Sequence, residues 1–266
     1  PFIIKPADGT ASMGVLRVDG SDDLDDAWRH IGRVRSEPLR ADAIGTVQAD
    51  AFIAEEYLDG PEYSVEAFTF RGRHVVLAIT EKSVLPNFVE VGHAVPARLD
   101  DPVAFQVSDA VRTFLDCIGV CEGATHTEVR LTAGGPRVVE SHTRPGGDRI
   151  IELVETAVGV DLERYTLGWP LGLVPEITES PHPVGAAATR FILAEPGVVE
   201  RVEGVEAVRA QPDVVLVEVG VSPGDCVRAP AWSWDRPGQV VAAAGTTEAA
   251  VARCEELVDQ IRIVTR

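Results

Sequence analysis

Apolar positions change period several times along this chain, and each change predicts an element. Residues 51–56 and 62–81 read as strands. They read Phe52-Ile53-Ala54, Tyr63-Ser64-Val65-Glu66-Ala67-Phe68, then Val75-Val76-Leu77-Ala78-Ile79, with Arg71-Gly72 as the turn between the last two. Ser21 followed by Asp22, Asp23, Asp25 and Asp26 starts a helix, acidic where the N-terminal dipole favours it. Leu24, Ala27, Trp28 and Ile31 follow at helical spacing, and Arg29, Arg33 and Arg35 load its C-terminal end. Val103, Val107, Ala110, Val111, Phe114 and Ile118 predict an amphipathic helix stopped at Gly119. Another begins near Asp148 and carries Ile151, Val154 and Val158. The proline-rich stretch from Trp169 to Pro183 reads as a domain boundary. Beyond it lie short strands around 185–194, 214–219 and 239–244, then a helix of Thr247 to Val258 capped by Thr247. Strands outnumber helices and interleave with them irregularly, which predicts an α+β fold.

Alternation on both sides of a glycine turn, Thr125–Leu131 and Arg137–His142, predicts a hairpin. Pairing centred on Gly134 sets Glu128 opposite Glu140 and His126 opposite His142, all on one face. Facing like charges destabilise a sheet. A hard cation reverses that cost, and carboxylates converging from two strands suit Mg²⁺ carrying phosphates. A two-residue Gly134-Gly135 turn would instead shift the register by one and part the carboxylates. An ordinary solvated hairpin face is the plainer alternative.

At 266 residues the chain suffices for one large domain or two modest ones. A formal charge of −18 argues against nucleic acid or an anionic membrane as the main partner, and it leaves phosphate substrates open given a local cationic site. No apolar run approaches a membrane span and no signal-peptide pattern is visible. Cys117, Cys121, Cys226 and Cys254 form no CxxC pair, so free thiols in a reducing cytoplasm are expected. The opening Pro1-Phe2-Ile3-Ile4-Lys5 lies inside an apolar strand, so a preceding part of the protein is expected to be missing.

Three constellations carry chemistry. Lys5 to Val15 is a strand running into a loop in which Gly9 and Gly14 permit unusual backbone angles and Thr10, Ala11 and Ser12 keep the main chain approachable to a phosphate. A plain surface turn is equally compatible, but a lysine ending a buried strand needs an anion or a route to solvent. Glu55-Glu56-Tyr57-Leu58-Asp59-Gly60-Pro61-Glu62 breaks one strand and restarts another, releasing backbone groups for an adenine edge and leaving Glu62 for ribose hydroxyls. An acidic β-turn is the default explanation. In Glu140-Ser141-His142-Thr143-Arg144-Pro145-Gly146-Gly147-Asp148, alternation puts Glu140, His142 and Arg144 on one side, suiting a metal phosphate and developing negative charge. An ion pair with a neighbouring carboxylate is the alternative for Arg144.

In order and spacing, KPADGTASMG, EEYLDGPEYSVE and HTEVRLTAGGPRVVESHTRPGGD resemble the ATP-grasp superfamily, and within it the carboxylate–amine ligases of the L-amino acid ligase type. The tail, with ATRFILAEPGVVERVEG and SPGDCV, is similar to the C-terminal region of those ligases and of biotin carboxylase. The resemblance implies an ATP-grasp fold of antiparallel sheets with flanking helices plus a small C-terminal β-rich domain. It divides the chain into a small lobe with the phosphate loop (1–57), a large lobe with the metal site (58–170) and a C-terminal α+β domain (183–266). It implies that Lys5 holds phosphate and that Gly9, Ser12 and Gly14 belong to a mobile loop over the triphosphate. Glu55, Glu56, Tyr57 and Leu58 would form the adenine hinge, and Glu62 would take the ribose. Glu128 and Glu140 would bind Mg²⁺, with Mn²⁺ as an alternative, and Arg144 would stabilise the acyl phosphate. His142 stands where the superfamily commonly has Asn as a third metal-side residue. The loop has fewer glycines than the richest family examples, and the family's preceding nucleotide-binding domain is absent from this chain.

Lys82, at a strand end, lies where related ligases bring a residue towards the transferred phosphate; a solvated strand exit is its alternative. Glu90 and His93 either line the acceptor side or belong to a surface loop. Trp232 and Trp234 either cover a substrate pocket or pack as edges of a small β domain. The expected activity is ATP-dependent joining of a carboxylate, an amino acid in the first instance, to an amine through an acyl phosphate. Carboxylation on the biotin carboxylase pattern and a non-catalytic ATP-binding module are the rivals. Expected partners are the small-molecule acid and amine and the missing N-terminal domain, with neither nucleic acid nor membrane; the resemblance admits a homodimer.

Overall fold

The computed structural model describes every residue except 37–38, 42–44 and 48, with backbone alone for 39–41 and 45–47. Its first part holds β1 (Phe2–Pro6), β2 (Leu16–Val18), α1 (Leu24–Ser36), β3 (Leu39–Ala41), β4 (Gly45–Val47) and β5 (Phe52–Glu56). The next holds β6 (Glu62–Phe70), β7 (Arg73–Val84), β8 (Glu90–Val95), α2 (Asp101–Cys117), β9 (Gly123–Thr132), β10 (Gly135–His142), α3 (Ile150–Val158) and α4 (Leu162–Gly168). The last holds β11 (Ala186–Ile192), β12 (Gly197–Glu203), α5 (Val205–Arg209), β13 (Val214–Val219), β14 (Cys226–Val227), β15 (Gly238–Ala244), α6 (Thr247–Val258) and β16 (Arg262–Thr265).

An eight-stranded antiparallel sheet in the order β10-β9-β6-β7-β8-β11-β15-β13 dominates, and a three-stranded sheet, β2-β1-β5, stands beside it. β11 pairs with β8, so the span 183–266 shares its sheet with the lobe before it. The segment Glu90–Val95, weighed above as a loop, is a central strand with His93 buried. The final helix is capped by Thr246, whose hydroxyl accepts from the Ala249 amide. Thr247, the expected cap, is buried and donates to the Pro96 carbonyl.

Strand β6 shows how one pattern builds both core and site. Its odd positions Val65 and Ala67 pack under Val107, Val111 and Leu115 of α2. Its even positions change character along the strand. Phe68 and Phe70 lie in a second core with Ile150, Leu153 and Val154 of α3, whereas Glu62, Ser64 and Glu66 are polar. Burying each large apolar side chain contributes about 1.5–3 kcal/mol, so α2 and α3 clamp the sheet from both sides and hold its polar end in place. A third core seats α6 against β11 and β15 through Ala188, Ala242, Ala250, Cys254 and Leu257. No helix among the described residues is long and apolar enough to cross a membrane.

Candidate functional site

The β9–β10 hairpin brings Glu128 opposite Glu140 and His126 opposite His142. The histidine rings stack with centroids 6.2 Å apart. The route to this register differs from the expected one. The turn falls at Ala133-Gly134, and pairing near it (Gly135 with Thr132, Val138 with Val129) runs one residue out of step. A β-bulge at Val139 takes up the extra residue. Without it Glu140 would face Thr127; with it the carboxylates meet.

A cavity of about 790 Å³ opens between this hairpin and the β2-β1-β5 sheet. Lys5, Gly9 and Ser12 line it from the first lobe, and Glu55, Glu56, Tyr57 and Leu58 from the strand break. Glu62, Glu128, Glu140 and His142 line it from the large sheet. The Lys5 ammonium, on a half-buried strand, lies 2.7 Å from Glu55 and 3.7 Å from Glu140, spanning both walls. The His142 imidazole lies 3.0 Å from Glu140.

Three expected residues stand outside the lining. Gly14 has φ +65° and ties the loop to α1, its carbonyl 2.9 Å from the His30 ring. Arg144 is exposed and donates to the Pro145 carbonyl. Lys82 lies directly beneath the floor, 2.5 Å from Glu128, 2.7 Å from Glu90 and 3.3 Å from Glu62.

Beneath Glu128 runs a buried chain of charge. His126 Nδ1 lies 2.9 Å from Glu66 Oε1, and its Nε2 lies 3.3 Å from Glu128 Oε1. Glu66 is completely buried and also accepts from the Ser64 hydroxyl at 2.7 Å. Burial opposes the imidazolium, but the Glu66 carboxylate, with hydrogen bonds to Glu128 and Glu66, raises its pKa to about 10. Burial likewise opposes the Glu66 carboxylate, and the His126 charge and hydrogen bond hold it below the usual range. The Glu128 carboxyl is held far below that range because Lys82 and His126 outweigh its desolvation. Lys82 is pushed well above the usual lysine value, since Glu128, Glu90 and Glu62 overcome its burial. The site thus keeps an ionised, oriented carboxylate. Oxygens of Glu62, Glu90 and Glu128 lie within 4.8 Å of one another, with Glu140 across the hairpin. That all-oxygen donor set fits a hard divalent cation such as Mg²⁺ or Mn²⁺.

The loop of residues 9–14 is held from three sides. Ala11 and Ser12 have left-handed φ values of 57° and 59°. The Ser12 hydroxyl donates to the Phe88 carbonyl at 2.8 Å. The Ser233 amide donates to the Ala11 carbonyl at 2.9 Å, and buried Trp232 packs with Met13. Trp232 therefore supports the loop, whereas Trp234 is largely exposed. Further along, Arg236 grips Asp148 through two hydrogen bonds of 2.9 and 2.8 Å and donates to the Glu90 carbonyl. His93 Nε2 approaches the same aspartate at 3.4 Å. The Asp148 carboxyl is held far below its usual range, its desolvation outweighed by His93 and Arg236.

Sequence reasoning missed Glu66, Arg130 and Arg236. Arg130 donates to Glu62 at 2.7 Å and to the Gly60 carbonyl at 3.0 Å, pinning the strand break. A signal for the first two existed: positions 62, 64 and 66 and positions 126, 128 and 130 are polar at period two, and β6 pairs with β9 to set them side by side. Arg236 carried no such signal.

Residues 1–152 match the ATP-grasp domain family, and residues 190–266 match the L-amino acid ligase C-terminal domain 2. The chain is 27% identical over 188 residues to carnosine synthase 1 of Homo sapiens, covering 70% of this chain and 23% of that protein. It is 27% identical over 181 residues to alanine–anticapsin ligase of Bacillus subtilis, covering 63% of this chain and 38% of that protein. The crystal structure of an L-amino acid ligase from Bacillus licheniformis superposes with a TM-score of 0.82 at 26% identity, covering 100% of this chain and 64% of that one. This chain spans about half the length, or less, of the curated relatives it matches.

Proposed function

This chain belongs to the ATP-grasp family, and from that premise we propose that the protein is an ATP-dependent carboxylate–amine ligase. The carboxylate oxygen attacks the γ-phosphorus of ATP, giving an acyl phosphate and ADP. An amine then attacks the acyl carbon, and an amide forms as phosphate and a proton leave. Relatives named as amino acid ligases support an amino acid as the acid. The observation that carries the reading is the meeting of Glu128 and Glu140 across the hairpin, on a cavity that Lys5 and the loop also line.

In this reading Glu128 and Glu140 hold Mg²⁺, which supplies neutralisation of charge on the phosphate oxygens. Lys5 leaves Glu55 and Glu140 for phosphate, and the Ala11-Ser12 backbone offers its amides to the same group. Glu55 to Leu58 take the adenine and Glu62 the ribose. Arg144, exposed and donating only to the Pro145 carbonyl among the described residues, is assigned to charge developing on the acyl phosphate. The four free thiols support a reducing, cytoplasmic setting. A screen of amino acid pairs with the complete protein should find phosphate release that needs ATP, an acid and an amine together. ATP binding without ADP production across the panel would favour a non-catalytic module instead.

A further inference from the structure

Lys82 reaches the site from β7 with all three ammonium donors engaged, by Glu128, Glu90 and Glu62. Its side chain is 1% exposed, and the oxygens it draws together lie within 4.8 Å of one another. A single small cation can bridge that spacing, and in this structure an ammonium does so. Two of the carboxylates have a second cationic partner, Arg130 on Glu62 and His126 on Glu128. Glu90 has Lys82 alone among the ion pairs of the described residues. Three half-buried carboxylates crowded this closely are costly without a shared counter-charge, so the cluster needs a resident cation whenever the cavity holds none.

We propose that Lys82 is a positioning residue: a resident counter-ion that holds Glu128 ready for a divalent metal and competes with that metal for it. An ammonium in contact with Glu128 repels an incoming dication and already satisfies part of the carboxylate's charge. The protein alone therefore takes the metal weakly. The nucleotide's phosphates restore the missing negative charge, so metal and nucleotide load together. The inference rests on the ligase reading only in placing the metal at Glu128.

Manganese titration of the nucleotide-free, full-length protein, with free Mn²⁺ read by its paramagnetic resonance signal, tests it. Lys82→Gln and Lys82→Met should bind Mn²⁺ at least tenfold more tightly than wild type, and Lys82→Arg should bind like wild type. A purely structural lysine would not tighten metal binding when lost, so neutral variants binding no tighter overturn the proposal. If the neutral variants fail to fold, thermal unfolding with and without Mn²⁺ replaces the titration. Recovery of a cooperative transition in Mn²⁺ is expected, and no recovery overturns the proposal equally. Failure of the underlying metal assignment reads out separately, as Mn²⁺ uptake with ADP that neither Glu128→Gln nor Glu140→Gln diminishes.

Discussion

Replacing Glu66 by Gln probes the buried chain that orients Glu128. The folded protein raises the His126 pKa from 6.5 to about 10. A folded-state value above the unfolded one means the stabilisation is fully present below pH 6.5 and is lost as pH rises through 10. At about 1.4 kcal/mol per pH unit the ceiling is about 5 kcal/mol, of which about 4 is present at pH 7 and about 1.5 at pH 9. Glu66 is the first cause of the rise, and the Glu128 hydrogen bond survives the substitution. Roughly half should therefore be lost in Glu66→Gln: about 2 kcal/mol at pH 7 and below about 1 kcal/mol at pH 9. Urea unfolding of both proteins at the two pH values, followed by tryptophan fluorescence, measures the gap. A gap that shrinks towards alkaline pH is expected; one equal at both values, or absent at pH 7, refutes a protonated His126 held by Glu66. The same variant should bind Mn²⁺–ADP more weakly, because Glu128 loses its aim.

Glu140→Gln should abolish acid-dependent ADP release while leaving the circular dichroism spectrum unchanged; wild-type turnover would remove Glu140 from the metal site. At Gly60, φ is +138° and a Cβ would sit 2.1 Å from the Leu131 carbonyl oxygen. Gly60→Ala should therefore cost roughly 3 kcal/mol and disturb the adjoining hinge, measurable as a lowered Tm. Trp232→Ala should loosen the loop that it and Ser233 hold, raising KM for ATP several-fold with a smaller change in kcat and exposing residues 9–14 to limited proteolysis. An unchanged KM together with unchanged proteolysis would separate the loop from its support.

What was legible in the sequence was what lies close along it. The facing of Glu128 and Glu140 follows from alternation within one hairpin, although the bulge at Val139 that secures it left no mark in the pattern. The strand break at 57–61 announced itself through Asp59-Gly60-Pro61, and Tyr57 and Leu58 line the cavity there beside Glu55, Glu56 and Glu62. Partners distant in the chain were not legible. Lys82 gains its place only when β6 and β8 flank β7 and β9 pairs with β6, bringing carboxylates 8, 20 and 46 positions away onto one ammonium. Arg236 meets Asp148 across 88 positions, through the sheet continuity that follows the proline-rich stretch. β8 was ambiguous because Gly92 interrupts its alternation; there the Arg190 side chain packs so close that a Cβ would lie 2.4 Å from it.

The central claim, that this cavity builds an acyl phosphate, is tested most directly by isotope transfer. The amino acid giving most phosphate in the screen is labelled with ¹⁸O in its carboxylate and incubated with ATP, amine and the complete protein. Attack of that oxygen on the γ-phosphorus carries one ¹⁸O into the phosphate released, which mass spectrometry should detect in equal proportion to amide formed. Amide formation with unlabelled phosphate would contradict the account.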